Sequence, residues 1–169
     1  MQPRPILLNS CARAATAAEA RFRIDVPIAP SRATRILALD DGAMDIVSRV
    51  AQMPWASARF LTCETGVRAD AGRLAEVSLR TVDGTPAELS DELAGVDVLV
   101  MVATSDAGAD AASVIGAACT VRGIMTAGLI LGTGGAAKAA VAALRPHARF
   151  ILVTADDQDV AEVLTALRT

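Results

Sequence analysis

The fold is decided by one stretch of the sequence, VDVLVMVATSDAGAD at residues 96–110. Its first half, residues 96–103, is an almost unbroken apolar run, which is typical of a strand buried on both faces of a parallel sheet. The residues that follow predict a helix over 109–121, which Gly123 ends. A buried strand that leads at once into a helix is the repeating unit of α/β proteins.

The same unit recurs on either side of this stretch. Apolar runs predict further strands at residues 36–39, 59–63, 76–82, 124–131 and 150–154. The spacing of apolar residues predicts helices at residues 44–52, 86–94, 134–144 and 160–167. Strands that alternate with helices imply right-handed crossovers. The predicted fold class is therefore α/β, with a three-layer, mostly parallel, Rossmann-like doubly wound sheet.

The N-terminal part of the chain differs from the rest. Prolines at positions 3, 5, 27 and 30 set residues 1–33 apart as an irregular segment. Within it, an alanine-rich stretch predicts a short helix at 11–20, and alternating polarity predicts an edge strand at 22–26. We expect residues 34–169 to form a single Rossmann-like α/β domain, which is long enough to bury a core.

The composition excludes nucleic acid as a partner and leaves a question about interfaces open. The net charge is −3 and aromatic residues make up 2% of the chain, so neither a basic patch nor a base-stacking platform is expected. The hydrophobic fraction of 53% and the mean hydropathy of +0.42 are high for a soluble monomer. Either an alanine-rich core or an additional buried interface, in a homo-oligomer or with a protein partner, would account for them.

The cysteines and the N-terminus indicate a cytoplasmic protein. The three cysteines form no Cys-x-x-Cys pair, and with a single histidine they make no zinc set. The apolar run at residues 6–8 is too short for a signal peptide, and no run of about 18 apolar residues is present to span a membrane. We therefore expect reduced thiols and no membrane partner.

Two acidic loops follow predicted strands at places where a nucleotide-binding fold would carry glycines. Ligands of doubly wound sheets bind outside the carboxyl ends of the strands, so the polar and glycine residues of both loops are the candidate ligand-binding set. Carboxylates in these loops would repel a phosphate. The arrangement of elements thus indicates a nucleotide-binding fold, while the residues argue against a nucleotide. The set comprises Asp40, Asp41, Gly42, Asp45, Thr104, Ser105, Asp106, Gly108 and Asp110.

Three roles for these carboxylates remain open. Asp40, Asp41 and Asp106 offer oxygen ligands to Mg²⁺ or another hard cation, and a bound cation would restore affinity for a phosphate group. The acidic cluster would also suit docking of a basic protein partner. The third role is structural and needs no cofactor, because an aspartate or serine that precedes a helix caps its free amides.

A glycine-rich turn, Gly132-Thr133-Gly134-Gly135, lies between a predicted strand and a predicted helix. Together with Leu131 and the following Ala-Ala-Lys, it resembles the dinucleotide loop of shikimate-dehydrogenase-type oxidoreductases. The resemblance implies that NAD(P), or another phosphate ligand, binds to amides at the helix start of a Rossmann-type enzyme. The simpler interpretation is a turn that tightens the junction between strand and helix.

A second resemblance covers residues 35–164. Residues 38–49, ALDDGAMDIVSR, align without gaps on the first glycine loop and helix of the FtsZ/tubulin family, whose pattern is Gly-x-Gly-Gly-x-Gly-Gly-Asn-x-x-Asn-Arg. Residues 93–103 are similar to the strand that enters the family's phosphate-binding signature, which falls on residues 104–112. Within that signature Gly108, Ala111 and Ala112 match. The chain therefore resembles the N-terminal nucleotide-binding domain of this family.

The departures from the family pattern imply that the family's activity has been lost. Both loops have lost most of their glycines and carry aspartates instead, and the family's central helix and second domain have no counterpart in the sequence. We therefore expect a degenerate FtsZ/tubulin-like domain without GTPase activity that acts as a binding or assembly protein. No catalytic residue is assigned. The alternative is the NAD(P)- or phosphate-ligand-binding enzyme that would use the turn at residues 132–135.

Overall fold

The structure of the protein is a computed structural model. It describes residues 31–64, 77–132, 135–154, 156–167 and 169. The helix predicted at residues 11–20 and the strand predicted at 22–26 lie outside the described residues, as do Thr133 and Gly134 of the glycine-rich turn.

Within the described ranges the chain forms seven strands and five helices. The strands are β1 (Thr34–Ala38), β2 (Ala58–Cys63), β3 (Ser78–Thr81), β4 (Pro86–Glu88), β5 (Val98–Ala103), β6 (Met125–Leu131) and β7 (Ala148–Thr154). The helices are α1 (Asp41–Val50), α2 (Leu89–Glu92), α3 (Ala109–Arg122), α4 (Lys138–Leu144) and α5 (Gln158–Ala166).

One sheet organises the domain. Its seven strands lie in the order β4-β3-β2-β1-β5-β6-β7. Five of these strands, β2, β1, β5, β6 and β7, run parallel to one another. At one end of the sheet β3 pairs antiparallel with β2, and β4 pairs antiparallel with β3. The predicted three-layer, mostly parallel, Rossmann-like α/β fold is therefore confirmed. Since the chain builds outward from β1 in one direction and from β5 in the other, the topological switch point lies between these two strands.

Helices cover both faces of the sheet. On one face α1 and α5 bury Val47 and Leu164 in a cluster with Ile36 of β1. On the other face α2, α3 and α4 pack in a second cluster, to which Ile115 and Leu144 contribute. The central strand β5 is buried at every residue, which explains why its sequence is apolar without alternation.

The helix predicted at residues 86–94 is wrong for its first part. Pro86–Glu88 forms β4, which pairs with β3, and only Leu89–Glu92 is helical. The cause is a hairpin turn in which Gly84 has a φ of 87° and the Thr85 amide bonds to the Thr81 hydroxyl. Proline is tolerated here because β4 is an edge strand.

The other predicted helices within the described residues are confirmed with shifted ends. The largest shift is in α4, which begins at Lys138 instead of residue 134. None of the helices in the described ranges is both long enough and apolar enough to cross a membrane.

Candidate functional site: the switch-point crevice and the cavity beside β6

Asp40 lies at the switch point, directly after β1. Its backbone is extended, with φ of −148° and ψ of 172°, so that it becomes the N-cap residue of α1. Its carboxylate accepts a hydrogen bond from the Ala43 amide at 2.9 Å. Asp40 is only 4% exposed. The capping role considered from the sequence is therefore the one that Asp40 fills at α1.

The same carboxylate reaches across the crevice to the loop that follows β5. It accepts hydrogen bonds from the Thr104 amide at 2.8 Å, the Thr104 hydroxyl at 2.6 Å and the Ser105 amide at 2.9 Å. Backbone amides at this position are the groups that a doubly wound sheet offers to an anionic ligand. Asp40 thus fills the position of that anion with a side chain of the protein itself.

These hydrogen bonds also determine the charge of Asp40. Burial by itself would raise the pKa of the carboxyl, because it disfavours the charged form. The hydrogen bonds from the Thr104 hydroxyl and from the amides of Ala43, Thr104 and Ser105 outweigh burial and hold the pKa of Asp40 below its usual value of 3.8. Asp40 is therefore ionised at neutral pH.

Two glycines allow the loops on either side of the crevice to approach closely. A Cβ at Gly42 would lie 2.3 Å from the Thr104 hydroxyl oxygen, and a Cβ at Gly108 would lie 2.3 Å from the Leu39 carbonyl oxygen. At these two points the loops leave no room for even a methyl group. The predicted ligand glycines thus serve as contact points between the loops.

Asp106 caps a helix other than its own. Its carboxylate accepts hydrogen bonds from the amides of Ala139 at 2.7 Å and Ala140 at 3.1 Å, in the first turn of α4. These amides have no partner further back in the helix, so the carboxylate satisfies them. Asp106 therefore ties the loop after β5 to the start of α4.

The remaining carboxylates of the predicted set are exposed. Asp41 and Asp45 lie exposed on α1, and Asp110 lies exposed in the first turn of α3. Across the ranges that the structure describes, no group of three or more His, Cys, Asp or Glu side chains is placed to hold a metal ion. The metal site predicted at Asp40, Asp41 and Asp106 gains no support, because Asp40 and Asp106 are each directed at backbone amides.

A cavity of about 380 Å³ lies beside the crevice, at the carboxyl end of β6. The end of β6, Gly132, residues 135–137, α4 and Val153 of β7 form its walls. Most of the lining is aliphatic, and its polar side chains are those of Thr104, Lys138 and Arg145. This is a different kind of site from the crevice, because it combines an apolar wall with two cations.

The glycine-rich turn borders this cavity through Gly132 and Gly135. These two residues have φ of 135° and 79°, in the region that favours glycine. The first-turn amides of α4 that would assist a pyrophosphate already bond to Asp106. The described geometry therefore adds nothing in favour of the NAD(P) alternative, and Thr133 and Gly134 lie outside the described residues.

Two features were missed from the sequence. Glu92, which is 6% exposed, pairs with Arg35 and Arg59, each at 2.9 Å. The two arginines are register partners in β1 and β2, which becomes visible only once the strands are paired. The cavity was missed as well, although a sequence signal exists. Lys138, Val141, Ala142 and Arg145 have the spacing of one helical face.

No protein-family model matches the chain, and a search of the curated proteins finds no match. The case for a function therefore depends on the geometry of the crevice, the cavity and the sheet edges.

Proposed function

We propose that the protein is a degenerate FtsZ/tubulin-like α/β domain without GTPase activity, and that it acts as an assembly protein by pairing with a second copy of itself along β7. The observation that carries the proposal is the position of the Asp40 carboxylate. It is hydrogen-bonded to both loops at the switch point, where the phosphate of a nucleotide would otherwise bind.

A nucleotide would have to displace this carboxylate or bind beside it. Displacement would remove its hydrogen bonds to Ala43, Thr104 and Ser105. Binding beside it would place two negative charges together, and such charges about 4 Å apart repel by about 4 kcal/mol at an effective dielectric constant of 20. Both routes oppose triphosphate binding, and hydrolysis requires that binding first.

The two edges of the sheet support an assembly role. β4 is three residues long, begins with Pro86 and ends with Glu88, which are features that protect an edge strand from pairing. β7 is seven residues long, with the sequence ARFILVT, and Phe150 and Val153 are 37% and 62% exposed. In the part of the chain that the structure describes, β7 pairs only with β6. A long apolar edge of this kind is a template for another strand.

Among the described residues, no strand pairs with the backbone groups on the outer side of β7. The Thr154 carbonyl accepts a hydrogen bond from Gly132, on the β6 side. Because backbone groups alternate in direction along a strand, those of Val153 and Ile151 point to the opposite, outer side. A second strand would therefore find donors and acceptors along the outer edge of β7.

Charge favours an antiparallel pair of two copies. Arg149 lies exposed near the start of β7, and Asp156 lies exposed just after its end. In an antiparallel pair the start of one strand meets the end of the other, so Arg149 of each copy lies near Asp156 of its partner. Such a two-fold contact is closed and self-complementary. It would also bury part of the apolar surface that the hydrophobic fraction of 53% implies.

The absence of nucleotide binding is tested by thermal unfolding of the full chain with GTP, GDP, ATP, NAD or NADP, each with and without Mg²⁺. A ligand that binds the native state must raise the unfolding temperature, so we expect no shift with any of them at millimolar concentration. A Mg²⁺-dependent shift with a guanine nucleotide would overturn the proposal. A shift with NAD or NADP would instead support the enzyme alternative.

Assembly is tested by light scattering coupled to size exclusion over a range of protein concentrations. We expect a mass twice the 17.3 kDa of one chain. Val153→Lys and Phe150→Lys should each convert the dimer to a monomer, because they put a charge on the pairing edge. Met53→Lys is the matched control, since Met53 is 48% exposed but lies outside the sheet.

A charge exchange tests the orientation of the pair. Arg149→Asp should weaken the dimer, and the double variant Arg149→Asp with Asp156→Arg should restore it. A wild-type chain that stays monomeric at high concentration would refute self-pairing.

A further inference from the structure

The cavity beside β6 supports a second proposal, which does not depend on assembly or on the switch-point crevice. We infer that this cavity binds a small, elongated organic anion, an aliphatic carboxylate whose chain lies along the apolar wall and whose carboxylate pairs with Arg145 or Lys138. The volume of about 380 Å³ is at the lower end of the range of about 300–1,000 Å³ found for ligand pockets. The site therefore suits a metabolite-sized molecule.

The walls require a ligand with an apolar body. Ile130 of β6 and its register partner Val153 of β7 line the cavity on the sheet side, and Val141 lines it on the side of α4. Val153 is 62% exposed, so apolar surface of this residue is open to solvent beside the cavity. A hydrocarbon chain in the cavity would cover this surface and gain the free energy of removing it from water.

The two cations lie on one face of α4. Lys138 and Arg145 are seven residues apart, with Val141 and Ala142 between them at positions i+3 and i+4. At 1.5 Å per residue, the Cα atoms of these two residues are about 10 Å apart along the helix axis. The cavity thus has two cationic side chains on its α4 side and an otherwise mostly aliphatic lining.

Both cations are available to a ligand. Lys138 and Arg145 are exposed, and neither forms an ion pair with another described residue. The Asp106 carboxylate lies at the Lys138 end of α4, bonded to the amides of Ala139 and Ala140. Its negative charge offsets part of the potential at that end. We therefore expect Arg145 to contribute more than Lys138 to binding.

A compact phosphate suits the cavity less well than a carboxylate on a chain. Phosphate sites use several donors that converge on one point, often amides at a helix start. Here those amides are occupied by Asp106. A carboxylate needs a single cation, and the apolar chain attached to it matches the rest of the lining.

Octanoate is the probe for the first experiment, in isothermal titration with the full chain. We expect saturable binding of octanoate at millimolar concentration or below. Acetate lacks the chain and 1-octanol lacks the charge, so both should bind at least about tenfold more weakly. Absence of octanoate binding up to 10-fold above this range, or equal binding of 1-octanol, would overturn the inference.

Variants locate the binding site. Arg145→Gln should weaken octanoate binding about fivefold and Lys138→Gln about threefold, the range expected for partly exposed ion pairs. Ala142→Phe should abolish binding, because it fills the cavity from an exposed helical position. Arg32→Gln is the matched control, since it removes the same charge from an exposed residue outside both the lining and β7. Equal affinity of all four variants would place octanoate elsewhere and refute the site.

Methyl NMR provides a readout that does not depend on the variants. Octanoate should shift the methyl signals of Val141 and Val153, which line the cavity. The signals of Val47 and Val50, which lie in the cluster on the opposite face of the sheet, should not move. Shifts confined to the opposite face would contradict the inference even if titration detected binding.

Discussion

The crevice and the cavity both lie at the carboxyl ends of the parallel strands, but the crevice is filled by the protein and the cavity is open. Between β1 and β5, the crevice is filled by Asp40 and by two loops that touch at Gly42 and Gly108. Beside β6, the short helix α4 leaves a cavity of about 380 Å³ with cations on its lining. In the crevice the polar groups bond to one another, whereas the two cations of the cavity form no ion pair with a described residue.

The difference shows that a shared topology does not determine which strand end can accept a ligand. The switch point is the position where doubly wound sheets bind ligands, yet here its donors are already satisfied. The cavity lies one strand further along the sheet, where Lys138 and Arg145 make no ion pair within the described residues. The presence of unsatisfied groups, and not the position in the fold, identifies the candidate ligand site.

The largest expected effect comes from forcing the two loops apart. Gly108→Ala would place a Cβ 2.3 Å from the Leu39 carbonyl oxygen and 2.6 Å from the Leu39 Cβ. Since a backbone atom cannot move aside like a side chain, we expect a loss of more than about 3 kcal/mol in the free energy of unfolding, measured in urea. Gly95→Ala is the control, because Gly95 has open space around it and a φ of +68°. It should cost only about 1 kcal/mol through backbone strain.

Removing the carboxylate from the crevice should have the next largest effect. Asp40→Ala leaves the Thr104, Ser105 and Ala43 amides without their acceptor. We expect a loss of about 2–3 kcal/mol in the free energy of unfolding. Asp45→Ala, on the exposed side of the same helix, should change it by less than about 0.5 kcal/mol. Similar values for the two variants would mean that the crevice is not held together by Asp40.

A pH series sharpens this result. The pKa of Asp40 is lower in the folded protein than its usual value of 3.8, so the folded state favours the ionised form. The stability that this contributes is complete above pH 3.8 and is lost as the pH falls through the lower, folded pKa. The difference in unfolding free energy between wild type and Asp40→Asn should therefore be constant from about pH 5 to pH 7 and shrink below pH 3.8. A difference that grows on acidification would contradict the assigned ionisation.

The smallest effect is expected at the other site. Asp106→Ala removes an exposed cap from the first turn of α4, and we expect a loss of about 1 kcal/mol in the free energy of unfolding. Asp110→Ala, in the first turn of α3, removes a carboxylate of similar exposure and should cost less. If Asp106→Ala lowered the free energy of unfolding as much as Asp40→Ala, the Asp40 hydrogen bonds would not be the stronger link between the loops.

Much of the fold was predictable from the sequence, because it depends on local patterns. The apolar run of β5 and the strand-to-helix order determine a parallel sheet with helices on both faces. The region at residues 86–94 was not predictable in this way. Its proline is compatible with a helix start and with an edge strand alike, and the pairing of Arg80 with Pro86 decides for the strand.

The candidate site was predictable only in part. The sequence places Asp40, Thr104 and Asp106 at neighbouring strand ends, but it does not reveal which hydrogen bonds they form. Asp40 bonds to residues 64 and 65 positions away, and Asp106 bonds to a helix 33 positions away. These partners depend on the three-dimensional approach of the loops. For this reason capping, metal binding and docking could not be separated from the sequence alone.

The hydrogen bonds of Asp40 also bear on how the chain can change over evolutionary time. A substitution of glycine at position 40 would remove four hydrogen bonds at once. It would not open the crevice, because the contacts at Gly42 and Gly108 would keep the loops together. The first mutational step toward a phosphate site would thus lower stability without any gain in ligand binding. Because its loss lowers stability without opening a site, Asp40 makes a new binding function easier to acquire at the cavity than at the switch point.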